Sequence, residues 1–322
     1  MNDEQEVSIL LRKGSKFCDE GKLKEAIECF DSILEMDPLN DEALFNKGIS
    51  LYMLGRFKEA VDCFDVVLDI ESANSGAWYN KGMALASLDR NEEALECFDN
   101  ALDIDPQYAL AWVNKGVVLC EMERFELSLE CFDKALEMDP QLVPALHKKG
   151  LALDDMGRNE KAIECFDKAL AIEPLNVLVL VNKATVLGKV GRHREATEYC
   201  DKALAVDDKF GLAWHVKGMQ FFQLGKPEEA MGFFDKALSI DPSYWSAWDM
   251  KGEALLALKR YSEALECFDK TIEICPEYAG AWIGKAMASF HLGREKEAER
   301  CFGKAFELDP SLKPSDEDLG LK

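Results

Sequence analysis

Histidine is scarce in this 322-residue chain: His147, His193, His215 and His291 are widely separated, and no two have metal-ligand spacing. No apolar run approaches the ~20 residues needed to span a bilayer. The opening MNDEQEVSIL lacks the basic-then-apolar order of a signal peptide. The chain is therefore expected to stay out of membranes and in the cytoplasm. Positive charge is in deficit, with 38 Lys and Arg against 61 Asp and Glu for a net charge of -23. Such a field repels phosphate backbones and anionic lipid, so nucleic acid is not an expected partner. No C-x-x-C, G-x-S-x-G, P-loop, H-E-x-x-H or dinucleotide fingerprint occurs, which leaves no enzyme chemistry, metal or cofactor to expect.

Cysteine, by contrast, is present eleven times. Cys29, Cys63, Cys97, Cys131 and Cys165 lie 34 residues apart, and Cys267 and Cys301 keep the register. Equivalent positions in stacked helical hairpins are separated by at least ~8 Å, beyond the ~7 Å Cα limit for a disulfide. These thiols are read as buried, reduced packing groups in a reducing compartment.

The same period governs the whole sequence. AWYNKG at Ala77–Gly82 returns as AWVNKG at Ala111–Gly116, and aligned copies centred on residues 10, 44, 78, 112, 146, 180, 214, 248 and 282 show no insertion. Nine repeats result, over residues 7–312, with a lead-in at 1–6 and a tail at 313–322 expected to be disordered. Within one copy Trp78, Leu85 and Leu88 recur at helical intervals. The pattern breaks at LDRN and resumes with Ala94, Leu95, Phe98, Ala101 and Leu102, before Asp105-Pro106 stops it. Each copy is thus a helical hairpin, helix A followed by helix B.

Trp78, Gly82, Ala94, Phe98 and Pro106 resemble the tetratricopeptide repeat pattern, as do Trp112, Gly116, Phe132 and Pro140, and Trp248, Gly252, Ala264, Phe268 and Pro276. Two departures are systematic: lysine replaces the family's usual leucine before the glycine, and leucine usually replaces the second aromatic. The resemblance implies an all-α, right-handed superhelical solenoid of nine helix-turn-helix repeats, with helix A lining a concave groove. It also implies a non-catalytic scaffold that binds a peptide or helix of a partner protein there. A self-assembling structural protein, binding a second copy of itself, is the alternative.

Positions that never vary read as architecture. The lysine before the glycine recurs from Lys13 to Lys285, and an aspartate on helix B recurs from Asp31 to Asp269. The lysine stem is expected to cover an apolar seam while its ammonium meets a carboxylate of a neighbouring helix. The turn residue is basic in every copy, as at Arg56 and Arg90, and is read as a solvated loop charge. Gly82 and its counterparts let two helices approach closely, with alanine at 184 and 286. Polar Lys16 and Glu299 are read as the outer faces of terminal repeats. Repeat 6, with Cys200, Asp208, Ala184 and Thr197 at otherwise regular positions, is expected to be the weakest internal junction.

Positions that do vary on helix A are the candidate site. One carries a hydrogen-bond donor in six consecutive repeats, as Arg12, Asn46, Asn80, Asn114, Lys148 and Asn182, and then stops. Asparagine is a poor helix former whose amide suits an extended main chain. The ladder is similar to the one in the superhelix of the O-linked N-acetylglucosamine transferase, where such residues hold the peptide backbone. Alternatively, these amides bond each other or water, and NKG is inherited by duplication. Phe45, Ile49, Tyr79, Met83, Val113, Val117 and Leu151 are expected as apolar walls centred on Asn80 and Asn114. The clamp by which related domains grip acidic chaperone tails needs lysine at the Tyr79 position, and no repeat has it.

Overall fold

The structure, a computed structural model, describes residues 3–313. All regular elements among them are helices, arranged in two compact units. The first unit, Met1–Gly157, holds α1 (Asp3–Asp19), α2 (Leu23–Met36), α3 (Asp41–Met53), α4 (Phe57–Ile70), α5 (Ser75–Ala86), α6 (Asn91–Ile104), α7 (Ala109–Glu121), α8 (Phe125–Met138) and α9 (Val143–Asp155). The second, Arg158–Lys322, holds α10 (Asn159–Ile172), α11 (Val177–Lys189), α12 (His193–Val206), α13 (Gly211–Gln223), α14 (Pro227–Ile240), α15 (Trp245–Ala257), α16 (Tyr261–Ile274), α17 (Ala279–His291) and α18 (Glu295–Leu308). Odd-numbered helices are helix A and even-numbered ones helix B, so the division falls inside repeat 5. Within each unit every helix packs on the next, and each helix A also touches helix A of the following repeat. Helix α1 begins at Asp3, so residues 3–6 belong to the first helix and not to a separate lead-in. Most of the expected tail, residues 314–322, lies outside the described residues.

Three contacts repeat along each unit. The helix B phenylalanine tucks beneath the helix A glycine of its own repeat: a Cβ added at Gly14, Gly48, Gly82, Gly116, Gly218 or Gly252 would meet that ring at 2.5 to 2.9 Å. Phe30, Phe64, Phe98, Phe132, Phe234 and Phe268 are all fully buried there. The helix A tryptophan closes the loop behind it. Its indole N–H donates to the carbonyl six residues back, from Trp112 to Pro106 at 3.2 Å and from Trp248 to Pro242 at 3.0 Å. The recurring lysine joins one repeat to the one before. Lys47 pairs with Asp31 and Lys81 with Asp65 at 2.5 Å, Lys115 with Asp99 and Lys149 with Asp133 in the same way. In the second unit Lys183, Lys217, Lys251 and Lys285 pair with Asp167, Asp201, Asp235 and Asp269. The ammonium also sits over the tryptophan ring, at 5.3 Å for Lys81 on Trp78. The aspartates are about half exposed, so each ion pair contributes no more than ~1 kcal/mol. The same small term nevertheless acts at successive interfaces of a quasi-one-dimensional array.

The basic turn residues are more than solvated charges. Arg56, Arg90, Arg192 and Arg260 each grip the glutamate three residues on, within the first turn of helix B. The recurring cysteines are buried on helix B, and burial pushes the Cys97, Cys131 and Cys267 thiols up to about 11. They are packing groups with little thiolate character.

Repeat 6 is not packed loosely. Where others have glycine over phenylalanine it has Ala184 and Cys200, both fully buried, a methyl gained against a ring lost. Its neighbour Tyr199 reaches Lys183, its hydroxyl accepting from the ammonium at 2.6 Å. Gly188 has no side chain where Gln220 of the next repeat sits, and Gln220 Oε1 lies 2.9 Å from His193 Nδ1. The weakness was expected from a poor interface with the neighbouring repeats, whereas Ala184 with Cys200 and Gly188 with Gln220 fit one another. Repeat 9 shows the unmatched case. Ala286 coincides with Phe302, and Phe302 is half-exposed, stacked on Phe306 at 6.1 Å. The face carrying Glu299 is consequently apolar, with Ile283, Phe302, Phe306 and Leu312 around a hollow of about 660 Å³.

Two stability predictions arise here. Cys200→Phe alone should destabilise by ~1–3 kcal/mol through overpacking against Ala184, and adding Ala184→Gly should recover most of it. Additive effects in urea melts of the three variants would show that the two sites do not share this contact. The turn position that is glycine at Gly55 and Gly157, with φ of 74° and 70°, is filled by Asp89, Glu123 and Lys259 at φ of 58°, 58° and 61°. Replacing each of these three by glycine should raise stability by ~0.5–1 kcal/mol, visible as a higher melting temperature.

Candidate functional site

With phenylalanine, glycine, tryptophan and lysine committed to packing, helix A keeps one stripe that differs between repeats. It comprises the residue after the tryptophan position, the donor position next to it, and the residue one turn further on. The sequence makes this stripe aromatic and amide-bearing in the first unit and acidic late in the second.

In the first unit Phe45 packs edge-on against Phe64 at 5.9 Å, and Tyr79 lies 6.1 Å from Phe98 and 4.8 Å from Tyr108. Burial pushes the Tyr79 hydroxyl up to about 12. Ile49, Met83, Val117 and Leu151 are half-buried beside this row. Val113 is not a wall: at 4 % exposure it belongs to the core with Phe132, because a valine is too short to project past the seam that Tyr79 overhangs. Asn46 donates to the Glu42 carbonyl at 2.9 Å and Asn80 to the Gly76 carbonyl at 2.8 Å, both four residues back in their own helices. Asn114 donates to the Tyr79 hydroxyl at 2.8 Å. The amides therefore bond neither each other nor a neighbouring ladder rung. Each donates one bond within the chain, and its amide has a second N–H and a carbonyl besides. Lys148 is exposed, and exposed Arg12 lines a hollow of about 500 Å³ with Leu11, Ser8 and Asn40.

Position 40 and its counterparts tune this face. Asn40, Asn74 and Asn176 cap helix A by accepting from the N–H three residues on, at 3.0, 2.9 and 3.2 Å. Tyr108, Tyr244 and Tyr278 provide no such cap. The Tyr108 and Tyr244 rings pack on Tyr79 and His215 of the preceding repeat, while the Tyr278 ring packs on Trp245 and its hydroxyl reaches Asp249.

In the second unit Asn182 is half-buried on α11. The donor position then becomes Val216, Met250 and Gly284, and a Cβ at Gly284 would lie 2.4 Å from Phe268, so no amide fits there. His215 and Asp249, buried at 4 % and 8 % exposure, occupy the Tyr79 position of repeats 7 and 8. His215 Nε2 lies 3.4 Å from Ser246 Oγ, and its Nδ1 has no partner. Asp249 Oδ2 accepts from the Tyr278 hydroxyl at 3.4 Å, and its Oδ1 is buried without one. Glu253, one turn further, occupies the Met83 position. Sequence reading passed over this pair because Asp249 is one more variable residue; the signal was two acids at positions that are apolar or aromatic in repeats 2 to 4.

Burial, reinforced by Glu253 and opposed by the Tyr278 hydroxyl, lifts the Asp249 carboxyl to about 7. Burial lowers the His215 imidazole to about 4. Among the described residues no group of three or more His, Cys, Asp or Glu could hold a metal ion, and no helix is long and apolar enough to cross a membrane.

These features define a helical-repeat solenoid whose variable face is helix A. Tetratricopeptide repeat family models match residues 11–77, 75–108, 107–173, 147–208, 211–244, 245–278 and 279–312. The chain belongs to the tetratricopeptide repeat family, whose fold is that of a protein–protein interaction scaffold. No curated protein matches it in sequence. Solved structures share its fold. A tetratricopeptide repeat protein from Parabacteroides merdae ATCC 43184 aligns with TM-score 0.63 and 20 % identity over 78 % of this chain and 99 % of its own. PilW, a type IV pilus biogenesis factor, aligns with TM-score 0.60 and 21 % identity over 64 % and 96 %. Pseudomonas aeruginosa pilF aligns with TM-score 0.57 and 20 % identity over 66 % and 96 %.

The buried acid and base should oppose each other in pH dependence. The folded chain holds the Asp249 proton to about pH 7 while the unfolded chain releases it near 3.8. Its contribution to stability is therefore complete below pH 3.8 and lost as pH rises through 7. His215 stays neutral when folded but takes a proton near 6.5 when unfolded, so its contribution is complete above 6.5 and lost as pH falls towards 4. Asp249→Asn should therefore raise stability at pH 8 by roughly 1–3 kcal/mol and change it little at pH 4. Equal shifts at both pH values in urea titrations would contradict the assignment.

Proposed function

We propose that the chain is a non-catalytic scaffold that holds an extended segment or helix of a partner protein against helix A of repeats 2 to 4. The observation that carries this is the coincidence, in one unit, of pre-oriented amides on Asn46, Asn80 and Asn114 with half-buried apolar side chains at Ile49, Met83 and Val117. An amide already fixed by one internal bond loses little entropy on meeting a partner main chain, and the adjacent apolar groups supply area to bury. Arg12, Lys148, Leu151 and Asn182 are candidates to extend the contact.

A second reading draws on a separate observation: the apolar hollow around Ile283, Phe302 and Phe306 suits association with another copy. A monomer mass independent of concentration in light scattering would remove it.

The internal bonds decide which variants test the first reading. Asn46→Ala with Asn80→Ala removes only bonds to carbonyls of the same helix, so folding should be unchanged or improved, alanine being the better helix former. Asn114→Ala additionally strips Tyr79 of its donor and should cost ~1 kcal/mol. For peptides selected on the wild-type chain, the Asn46–Asn80 double variant should bind at least ten-fold more weakly by calorimetry. Undiminished binding with a lowered melting temperature would assign the ladder a structural role.

A further inference from the structure

Asp249 and Glu253 lie one turn apart on α15, the first buried and the second half-exposed. Burial pushes both carboxyls up, Asp249 further through the charge of Glu253; burial and then the two acids push the Tyr278 hydroxyl up. Buried carboxylates in folded proteins are ordinarily paired with a cation or fully hydrogen-bonded. Here neither holds. Among the described residues no lysine or arginine contributes to the environment of either acid. Asp249 is 8 % exposed, its Oδ1 is buried with no hydrogen-bond partner, and the single bond to its Oδ2, from Tyr278, is long at 3.4 Å. A native structure rarely leaves a buried carboxylate oxygen unsatisfied without a role for it.

The surroundings specify what would satisfy it. The Tyr278 hydroxyl reaches Asp249, and the Tyr278 ring lies 4.8 Å from the ring of Trp245, one turn before Asp249 on α15, tilted by 48°. Carboxylates flanked by aromatic faces attract organic cations through charge and through the ring quadrupoles together. A metal ion would need more ligands than are gathered here, since no group of three or more suitable side chains exists among the described residues. Trp245, Tyr278 and Glu253 are half-exposed, so the approach lies on their side while Asp249 forms the floor. Asp249 and Glu253 occupy, in repeat 8, the helix A positions that Tyr79 and Met83 occupy in repeat 3.

We propose that Asp249, Glu253, Trp245 and Tyr278 form a receptor for a lysine or arginine side chain of a partner polypeptide. The ammonium or guanidinium donates to Asp249 Oδ1 and to the Glu253 carboxylate, and the stem lies against the two rings. The site adds charge selectivity to a face otherwise suited to main-chain and apolar contacts. It rests on the second unit alone, so its failure and that of the asparagine reading are separable.

The test uses the full chain and the capped peptide Gly-Ala-Lys-Ala-Gly, with arginine and norleucine versions, followed at the Trp245 indole N–H by NMR titration. The lysine and arginine peptides should shift this signal saturably, at least ten-fold more tightly than the norleucine peptide. Asp249→Asn with Glu253→Gln should lose that preference. Glu96→Gln with Glu164→Gln, which removes the same charge from exposed helix B positions, should keep it. Equal binding of the norleucine peptide, no saturable shift, or equal loss in the helix B variant overturns the proposal. So does calcium chloride if it reproduces the peptide's shift. If the double variant does not fold, Glu253→Lys at the half-exposed edge must abolish the shift, and retention there overturns the proposal as well.

Discussion

The phenylalanine that each helix B places under the helix A glycine of its own repeat is the contact on which the rest depends. A side chain as small as alanine at Gly82 would put a carbon 2.9 Å from the Phe98 ring, so the two helices approach this closely only because one of them presents bare backbone. That approach fixes the hairpin, and the fixed hairpin brings the next repeat's lysine within reach of the preceding aspartate. The two exceptions obey the same steric rule from opposite sides. Ala184 is matched by Cys200 and both stay buried; Ala286 is not matched, and Phe302 is half-exposed.

Because the packing positions are so few, much of helix A is released from architectural duty. The residue following the tryptophan position is phenylalanine, tyrosine, valine, histidine or aspartate without any change in the hairpin. Each choice is backed by a second one in the next repeat. Tyrosine at 108 or 244 forgoes the cap that asparagine gives at 40, 74 and 176, and in return lays a ring on its predecessor's variable side chain. A helix cap is worth about 1 kcal/mol, and an aromatic contact of this kind is of similar size. The exchange is nearly neutral for folding, which leaves the chemistry of the face open to selection.

The buried His215 and Asp249 show how far that freedom extends. Both destabilise the fold at neutral or acidic pH relative to an apolar residue, by leaving a charge or a polar atom without its partner. An interior designed for stability alone would hold neither.

The period of 34, the hairpin in each copy and the lysine–aspartate pairing were all legible in the sequence, since each is repeated often enough for invariance to separate it from noise. Candidate ladder and wall positions followed from the same alignment. What the sequence could not decide was how unlike positions meet. That Ala184 answers Cys200, that Gly188 makes room for Gln220, that Asn114 bonds Tyr79 while Asn46 and Asn80 turn back on their own helices, and that Val113 sinks into the core all depend on distances between side chains. So does the meeting of Asp249 with Glu253 and Tyr278, which leaves one carboxylate oxygen unpartnered. Local periodicity determines which face of a helix is buried, because the backbone geometry is the same in every copy. Which side chains touch across that face depends on the size and shape of residues a whole repeat apart, and only the folded chain sets those side by side.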